Sequence, residues 1–275
     1  MQPLSTTRTA LALGWTLLLS LPAAAGPSSS NLARERAWAD EIADTIVVGE
    51  PVWLSAQGIR FLGLYAAPKV DRHPGQALIL IHGRGVHPAW GFIDSLRSDF
   101  ADAGWHTLSL QMPILANDAR FNDYGNTFPE AFARIDAGRA FLKDKGMAEV
   151  VLLGHSSGAM TVIAYAAERP HAPVRGIAAI SLSTLDSGNQ YMRPAHMLRR
   201  IKSPVLDIYG ANDLHEVLSK SYERRLAAEA AGNTAYTAIK VPGADHFFTD
   251  RYSELRQALG QWLARTAPSD GADKP

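Results

Sequence analysis

The chain is predicted to be an α/β domain with a mostly parallel central sheet and helices on both of its faces. Three observations carry that expectation. Short aliphatic and β-branched segments alternate with longer amphipathic ones along most of the 275 residues, the pattern of repeated strand and helix units. The hydrophobic content is 47%, enough to fill one large core without a second domain. Segments such as Ala77-Leu78-Ile79-Leu80-Ile81 and Val150-Val151-Leu152-Leu153 run without polar interruption, which suits strands buried on both sides.

Residues 1–25 read as a cleaved secretory signal. Arg8 precedes an apolar stretch from Thr9 to Leu21, and Pro22-Ala23-Ala24-Ala25 before Gly26 supplies small residues for cleavage. The apolar stretch falls short of the roughly 20 residues that a spanning helix needs, so a soluble mature chain, periplasmic or extracellular and without a stable membrane anchor, is expected. Residues 26–30 read as a flexible linker, 31–266 as the folded domain, and 267–275 as a disordered tail.

Within the domain, residues 31–46 are predicted to form a helix capped by Asn31, with Leu32, Ala33, Trp38 and Ile42 among its apolar positions, lying outside the sheet. Residues 52–55 and 59–65 are strand-like and joined through Ala56-Gln57-Gly58, which predicts an antiparallel hairpin at one edge. The strand at 77–81 runs into His82-Gly83-Arg84-Gly85. A helix at 92–103 places Phe92, Ile93, Leu96 and Phe100 on one face, followed by a strand at 106–110, a polar loop through Asn117 and Asp123, and a helix at 129–145. After the strand at 150–153 and an apolar helix at 159–167 come a strand at 177–183, an irregular stretch at 184–202 and a strand at 205–209. A helix at 217–231, a strand at 236–241 and a helix at 252–266 complete the domain.

Composition narrows the function. The formal net charge is zero and no basic or acidic block occurs, which argues against nucleic acid or an anionic membrane surface as the main partner. There is no cysteine, so disulfides, a thiol nucleophile, a thiolate metal site and a lipidated cysteine are excluded, and stability must come from the core.

The chemistry gathers at Gly154-His155-Ser156-Ser157-Gly158. A G-x-S-x-G between a buried strand and a helix forces a sharp turn that lifts the serine clear of the sheet, with glycines where strand and helix come close. The helix amino end then favours negative charge developing at the serine. A serine hydroxyl needs a base to take its proton and a carboxylate to orient that base. This turn resembles that of the α/β-hydrolases, whose acid and base follow the serine in that order along the chain.

Of nine histidines, only His215 and His246 follow both Ser156 and Asp213. His215 sits two residues after Asp213 at a helix start, whereas His246 lies in a turn-rich loop beyond the last strand, so His246 is the expected base. Asp213, on the loop after the strand at 205–209, is the expected acid, with Asp186 and Asp207 as alternatives. Asp207 interrupts an apolar strand, and a carboxylate buried there needs partners of its own. The backbone N–H groups of Ser157 and Arg84 are expected to hold the oxyanion, with Gly85 as the alternative to Arg84. The Arg84 guanidinium is expected to pair with a neighbouring carboxylate rather than to bind substrate. His82, His87 and His155 show no metal-ligand spacing and are assigned hydrogen-bonding or core roles; neither metal nor cofactor is expected.

With these residues placed, the chain from about residue 50 to 262 resembles the α/β-hydrolase superfamily. Within it, Ile81-His82-Gly83-Arg84-Gly85-Val86-His87-Pro88, Ala103-Gly104-Trp105-His106-Thr107-Leu108-Ser109-Leu110 and Leu206-Asp207-Ile208-Tyr209-Gly210 resemble a bacterial family of exported α/β-hydrolase-like proteins of unassigned function. The resemblance implies the α/β-hydrolase fold, a Ser156-Asp213-His246 triad and the oxyanion hole named above, but no substrate. The stretch at 184–202 is too short for a large lid domain, which favours an open-pocket esterase over an interfacial lipase. The expected activity is therefore that of a serine hydrolase acting on a small-molecule carboxylic ester through an acyl-enzyme. Candidate rim residues are Met112, Phe121, Tyr124, Tyr191 and Met192. Acyl transfer or peptide hydrolysis would use the same groups, and a non-catalytic binding protein on this fold is the reading from a different class.

Overall fold

The computed structural model describes residues 28–185 and 187–266. Eight strands, β1 (Glu50–Ala56), β2 (Ile59–Ala66), β3 (Gln76–Ile81), β4 (His106–Leu110), β5 (Glu149–His155), β6 (Val174–Ile180), β7 (Val205–Gly210) and β8 (Tyr236–Val241), form one sheet in the order β1-β2-β4-β3-β5-β6-β7-β8. β1, β2 and β4 pair antiparallel and every other neighbour is parallel. The β1–β2 hairpin closes at Gln57 and Gly58, both with positive φ (51° and 78°), which a tight hairpin turn between twisted strands requires. The α/β-hydrolase fold, without a large lid, is the architecture observed.

Strand alternation sorts the core into two layers. Ala77, Ile79 and Ile81 of β3 face one cluster and Leu78 and Leu80 the other. The first cluster lies under α3 (Phe128–Asp144) and α4 (Ser157–Glu168), the second under α2 (Gly91–Asp102) and α8 (Tyr252–Thr266). All six residues of β3 are buried, because helices cover both faces of the middle strands. Each fully buried aliphatic side chain there contributes about 1.5–3 kcal/mol. Strand order changes direction between β3 and β5, and a crevice outside the carboxyl ends of the strands at such a point is where open α/β sheets hold ligands.

Several segments differ in detail from the sequence reading. α1 (Leu32–Thr45) is capped by Asn31, whose side chain accepts the Arg34 N–H, but its buried face carries Glu35, Ala39 and Ile42 while Leu32 is exposed. The reason is an ion pair: Arg134, fully buried on α3, meets Glu35 at 2.8 Å and Glu130 at 2.6 Å. Within the stretch read as a flexible linker, Ser28 donates to Glu130 at 2.9 Å and Ser30 to the Ile114 carbonyl at 2.9 Å, so both are tied to the same cluster. The predicted helix at 217–231 is two helices, α6 (His215–Leu218) and α7 (Ser221–Ala230), and the irregular stretch contains α5 (Pro194–Leu198). β6 ends at Ile180 rather than at residue 183, because Ser181 turns out of the sheet with φ of 53°. The predicted signal at 1–25 and tail at 267–275 lie outside the described residues.

Candidate active site

Ser156 stands between β5 and α4 with φ 56° and ψ −116°, a conformation that costs a non-glycine residue about 1–3 kcal/mol and persists only where the surroundings enforce it. They do so through two glycines. A Cβ on Gly154 would lie 2.3 Å from the Gly158 carbonyl oxygen, and one on Gly158 would lie 2.5 Å from the Ile81 and His82 carbonyls. Nothing larger fits where strand, helix and the β3 loop converge. Ser156 is anchored by its own N–H donating to the Ile180 carbonyl at 2.9 Å, and α4 behind it is buried along nearly its whole length.

The loops after β7 and β8 bring the expected partners to it. His246 Nε2 lies 3.1 Å from Ser156 Oγ, and His246 Nδ1 lies 2.6 Å from Asp213 Oδ1. The three residues are buried to 9%, 7% and 7% exposure for Ser156, His246 and Asp213, so their hydrogen bonds compete little with water. Asp213 also accepts from Ser181 Oγ at 2.6 Å and from the backbone N–H of Leu214 at 2.8 Å. Burial raises the pKa of Asp213, but the hydrogen bonds from His246 and Ser181 outweigh it and hold the carboxyl below its ordinary range. A carboxylate next to the imidazole keeps the ring's Nδ1 protonated and its Nε2 free to accept.

The other candidate acids separate clearly. Asp207 is bound by Arg224 at 2.7 Å and by the Tyr236 hydroxyl at 2.7 Å; the carboxylate and the guanidinium are fully buried and Tyr236 partly so. Asp186 lies outside the described residues. His215 is exposed at the start of α6.

The β3 loop borders the serine: the Cβ position of Gly83 is 3.6 Å from Ser156 Cβ. His82 fastens that loop. Its Nδ1 lies 2.8 Å from the Gly83 carbonyl, and its Nε2 accepts the Met112 N–H at 2.9 Å. Burial lowers its pKa to about 3, so the ring is neutral, as that donor and acceptor pattern requires. His155 Nε2 lies 3.0 Å from the His246 carbonyl and ties the base loop to the elbow; burial lowers its pKa to about 4. Among the described residues, the backbone N–H groups of Ser157, Arg84 and Gly85 have no protein acceptor. Arg84 makes no ion pair with any described carboxylate. Its exposed guanidinium lies over the Phe121 ring at 5.1 Å, so among the described residues the ring of Phe121 takes the place of the expected carboxylate.

Beside these donors is a cavity of about 20 Å³, lined by Arg84, Met112, Tyr124, Phe128, Ser157 and Met192 among others. Met112, Tyr124 and Met192, named as rim residues from sequence, are buried in its wall, while Tyr191 stacks on Phe128 at 5.4 Å. Sequence reasoning missed Ser181, because a lone serine after an apolar strand gives no sign of its positive φ or of the carboxylate it reaches. It also missed the half-exposed Phe247, whose ring lies 5.1 Å from that of His246, and Trp90, 5.6 Å from Phe247. Only the position of Phe247 next to the expected base could have pointed to it.

A family model described as "Protein of unknown function (DUF3530)" matches residues 20–126 and 125–257. No curated protein matches the chain. Among solved structures, Est1E from Butyrivibrio proteoclasticus is 16% identical with a TM-score of 0.63, covering 78% of this chain and 98% of its own. A putative dienelactone hydrolase from Klebsiella pneumoniae is 17% identical with a TM-score of 0.66, covering 81% and 98%. XC6422 from Xanthomonas campestris, described as an α/β serine hydrolase without a lid, is 16% identical with a TM-score of 0.61, covering 84% and 98%. At these identities the likeness is one of fold.

Proposed function

The chain belongs to the family described as protein of unknown function (DUF3530), and from that premise and the geometry of the elbow we propose that it is an exported serine hydrolase acting on carboxylic esters. The observation that carries the reading is the unbroken hydrogen-bonded series from Asp213 through His246 to Ser156, ending on a strained serine at a helix amino terminus. In a structural cluster such strain would have no return.

In the proposed reaction, Ser156 Oγ attacks the ester carbonyl carbon while its proton passes to His246 Nε2. The carbonyl oxygen takes up negative charge and is held by the backbone N–H groups of Ser157 and Arg84; losing one such donor typically lowers kcat by about 10²–10³-fold. The carbon–oxygen bond to the alcohol breaks, His246 returns the proton to the leaving oxygen, and the acyl group stays on Ser156. Water then adds to the acyl carbon with its proton going to His246, and collapse releases the carboxylic acid and restores the serine hydroxyl. Asp213 keeps Nδ1 protonated throughout. The signal pattern at residues 1–25 supports export, and among the described residues no helix is long and apolar enough to cross a membrane.

A fluorophosphonate probe tests the assignment. It is expected to label the mature protein on Ser156 and to leave Ser156→Ala unlabelled; equal labelling of that variant would overturn the proposal.

A further inference from the structure

The two sides of Ser156 differ in size and in exposure. On the oxyanion side, Arg84, Met112, Phe128, Ser157, Met160 and Met192 border the cavity of about 20 Å³, which is room for about one water or a methyl group. Met112, Phe128, Met160 and Met192 are all at most 5% exposed, so core packing fixes these four walls, and of the residues named only Arg84 has an exposed side chain. On the base side, Phe247 lies against His246 with its ring centroid 5.1 Å away, and it is 51% exposed. Trp90 meets Phe247 edge-on at 5.6 Å. Phe247 leaves half of its surface in water, a poor use of an aromatic side chain for stability but a ready surface for a flat apolar ligand.

The chemistry decides which part of the substrate meets which side, given the esterase reading above. In the tetrahedral intermediate the oxyanion must point at the Ser157 and Arg84 N–H groups. The leaving oxygen must come within hydrogen-bond reach of His246 Nε2, from which it takes its proton as the carbon–oxygen bond breaks. The alcohol portion therefore extends over His246 toward Phe247 and Trp90. The acyl portion is left the space by the oxyanion loop, walled by buried methionines and Phe128. We infer that the substrates are short-acyl esters, of acetyl size, of a bulky apolar alcohol that packs on Phe247 and Trp90. Met192 and Met112 limit the acyl chain, and Phe247 selects the alcohol.

Three esters test this: 2-phenylethyl acetate, ethyl acetate and 2-phenylethyl hexanoate, whose alcohols are both simple primary ones, so leaving ability is matched. The mature protein is expected to hydrolyse 2-phenylethyl acetate with kcat/KM at least tenfold above either of the others. Phe247→Ala is expected to bring the two acetates within about threefold of each other, as the loss of one apolar contact surface predicts. Met192→Ala and Met112→Ala are each expected to raise the ratio of hexanoate to acetate hydrolysis about tenfold or more. Because the methionines are core residues and Phe247 is at the surface, Phe247→Ala keeps the inference testable if either methionine variant fails to fold. Hexanoate hydrolysed as well as acetate by the unaltered protein, or equal losses on both acetates in Phe247→Ala, would overturn the inference while fluorophosphonate labelling of Ser156 left the esterase reading standing. No labelling together with no hydrolysis of any of the three would overturn both.

Discussion

Asp207 lies on β7 and Asp213 on the turn that follows it; both carboxylates are buried, and each accepts several hydrogen bonds. Asp207 takes Arg224 Nε at 2.7 Å, Arg224 Nη2 at 3.3 Å and the Tyr236 hydroxyl at 2.7 Å. Burial works against the Arg224 charge, but Asp207 outweighs it and holds the guanidinium protonated; burial beside Asp207 likewise pushes the Tyr236 hydroxyl up. Neither Arg224 nor Tyr236 therefore changes its proton state near neutral pH. Asp213 accepts four hydrogen bonds, from Ser181, Gly210, Leu214 and His246, and the other nitrogen of that imidazole reaches Ser156. Burial and hydrogen-bond count therefore do not separate a structural carboxylate from a candidate catalytic one. What separates them is whether a partner can take up and release a proton, and whether that partner leads to a group that faces the substrate.

The comparison breaks if the two residues respond alike to substitution. The largest effect is expected from Asp213→Asn, which leaves the shape intact but lets His246 adopt the wrong tautomer. A kcat about 10⁴-fold lower, equivalent to about 5 kcal/mol, is expected on the behaviour of such triads, with a urea midpoint near that of the unaltered protein. Asp207→Ala leaves Arg224 buried without its counter-charge, and removing one partner of a buried pair costs about 3–5 kcal/mol. Its urea midpoint is therefore expected to fall sharply, while kcat per folded molecule stays within a few-fold. A fall in kcat near that of Asp213→Asn without loss of stability would mean that Asp207 is the orienting acid.

A subtler pair sharpens the contrast by removing one hydroxyl from each carboxylate. Tyr236→Phe is expected to cost about 1.5–3 kcal/mol of stability, the usual worth of a hydrogen bond to a charged group, with no change in kcat. Ser181→Ala removes the 2.6 Å bond to Asp213 Oδ2 and is expected to lower kcat about tenfold while KM stays nearly constant, since the hydroxyl acts on the acid rather than on bound substrate. Equal stability losses with unchanged rates in both variants would remove the distinction between the two clusters.

Much of this arrangement was legible from residue order. The turn at residues 154–158 announces itself because only glycine fits where Gly154 and Gly158 meet backbone atoms, and β5 with its neighbours announces itself through unbroken apolar runs. His246 was singled out by its place after the last strand. Asp207 showed only as an anomaly, a charge in an apolar strand, since its partners Arg224 and Tyr236 come from α7 and β8. The burial of Glu35 in α1 is invisible in the sequence for a similar reason: Arg134, which makes a buried glutamate tolerable, lies in α3, far along the chain.

Amino-acid order by itself determined the strand and helix succession, the strained turn at Ser156, and the serine, acid, histidine sequence along the chain, because periodicity, glycine placement and chain order are local properties. Tertiary structure alone decided that Asp213 rather than Asp207 touches His246, that Ser181 reaches Asp213, that Arg84 has no described carboxylate beside it, and that Ser156 has one side walled by buried methionines and another that is open and aromatic. Those are matters of distance between segments remote in sequence. Distance is set by how the helices pack on the two faces of the sheet, which no short stretch encodes.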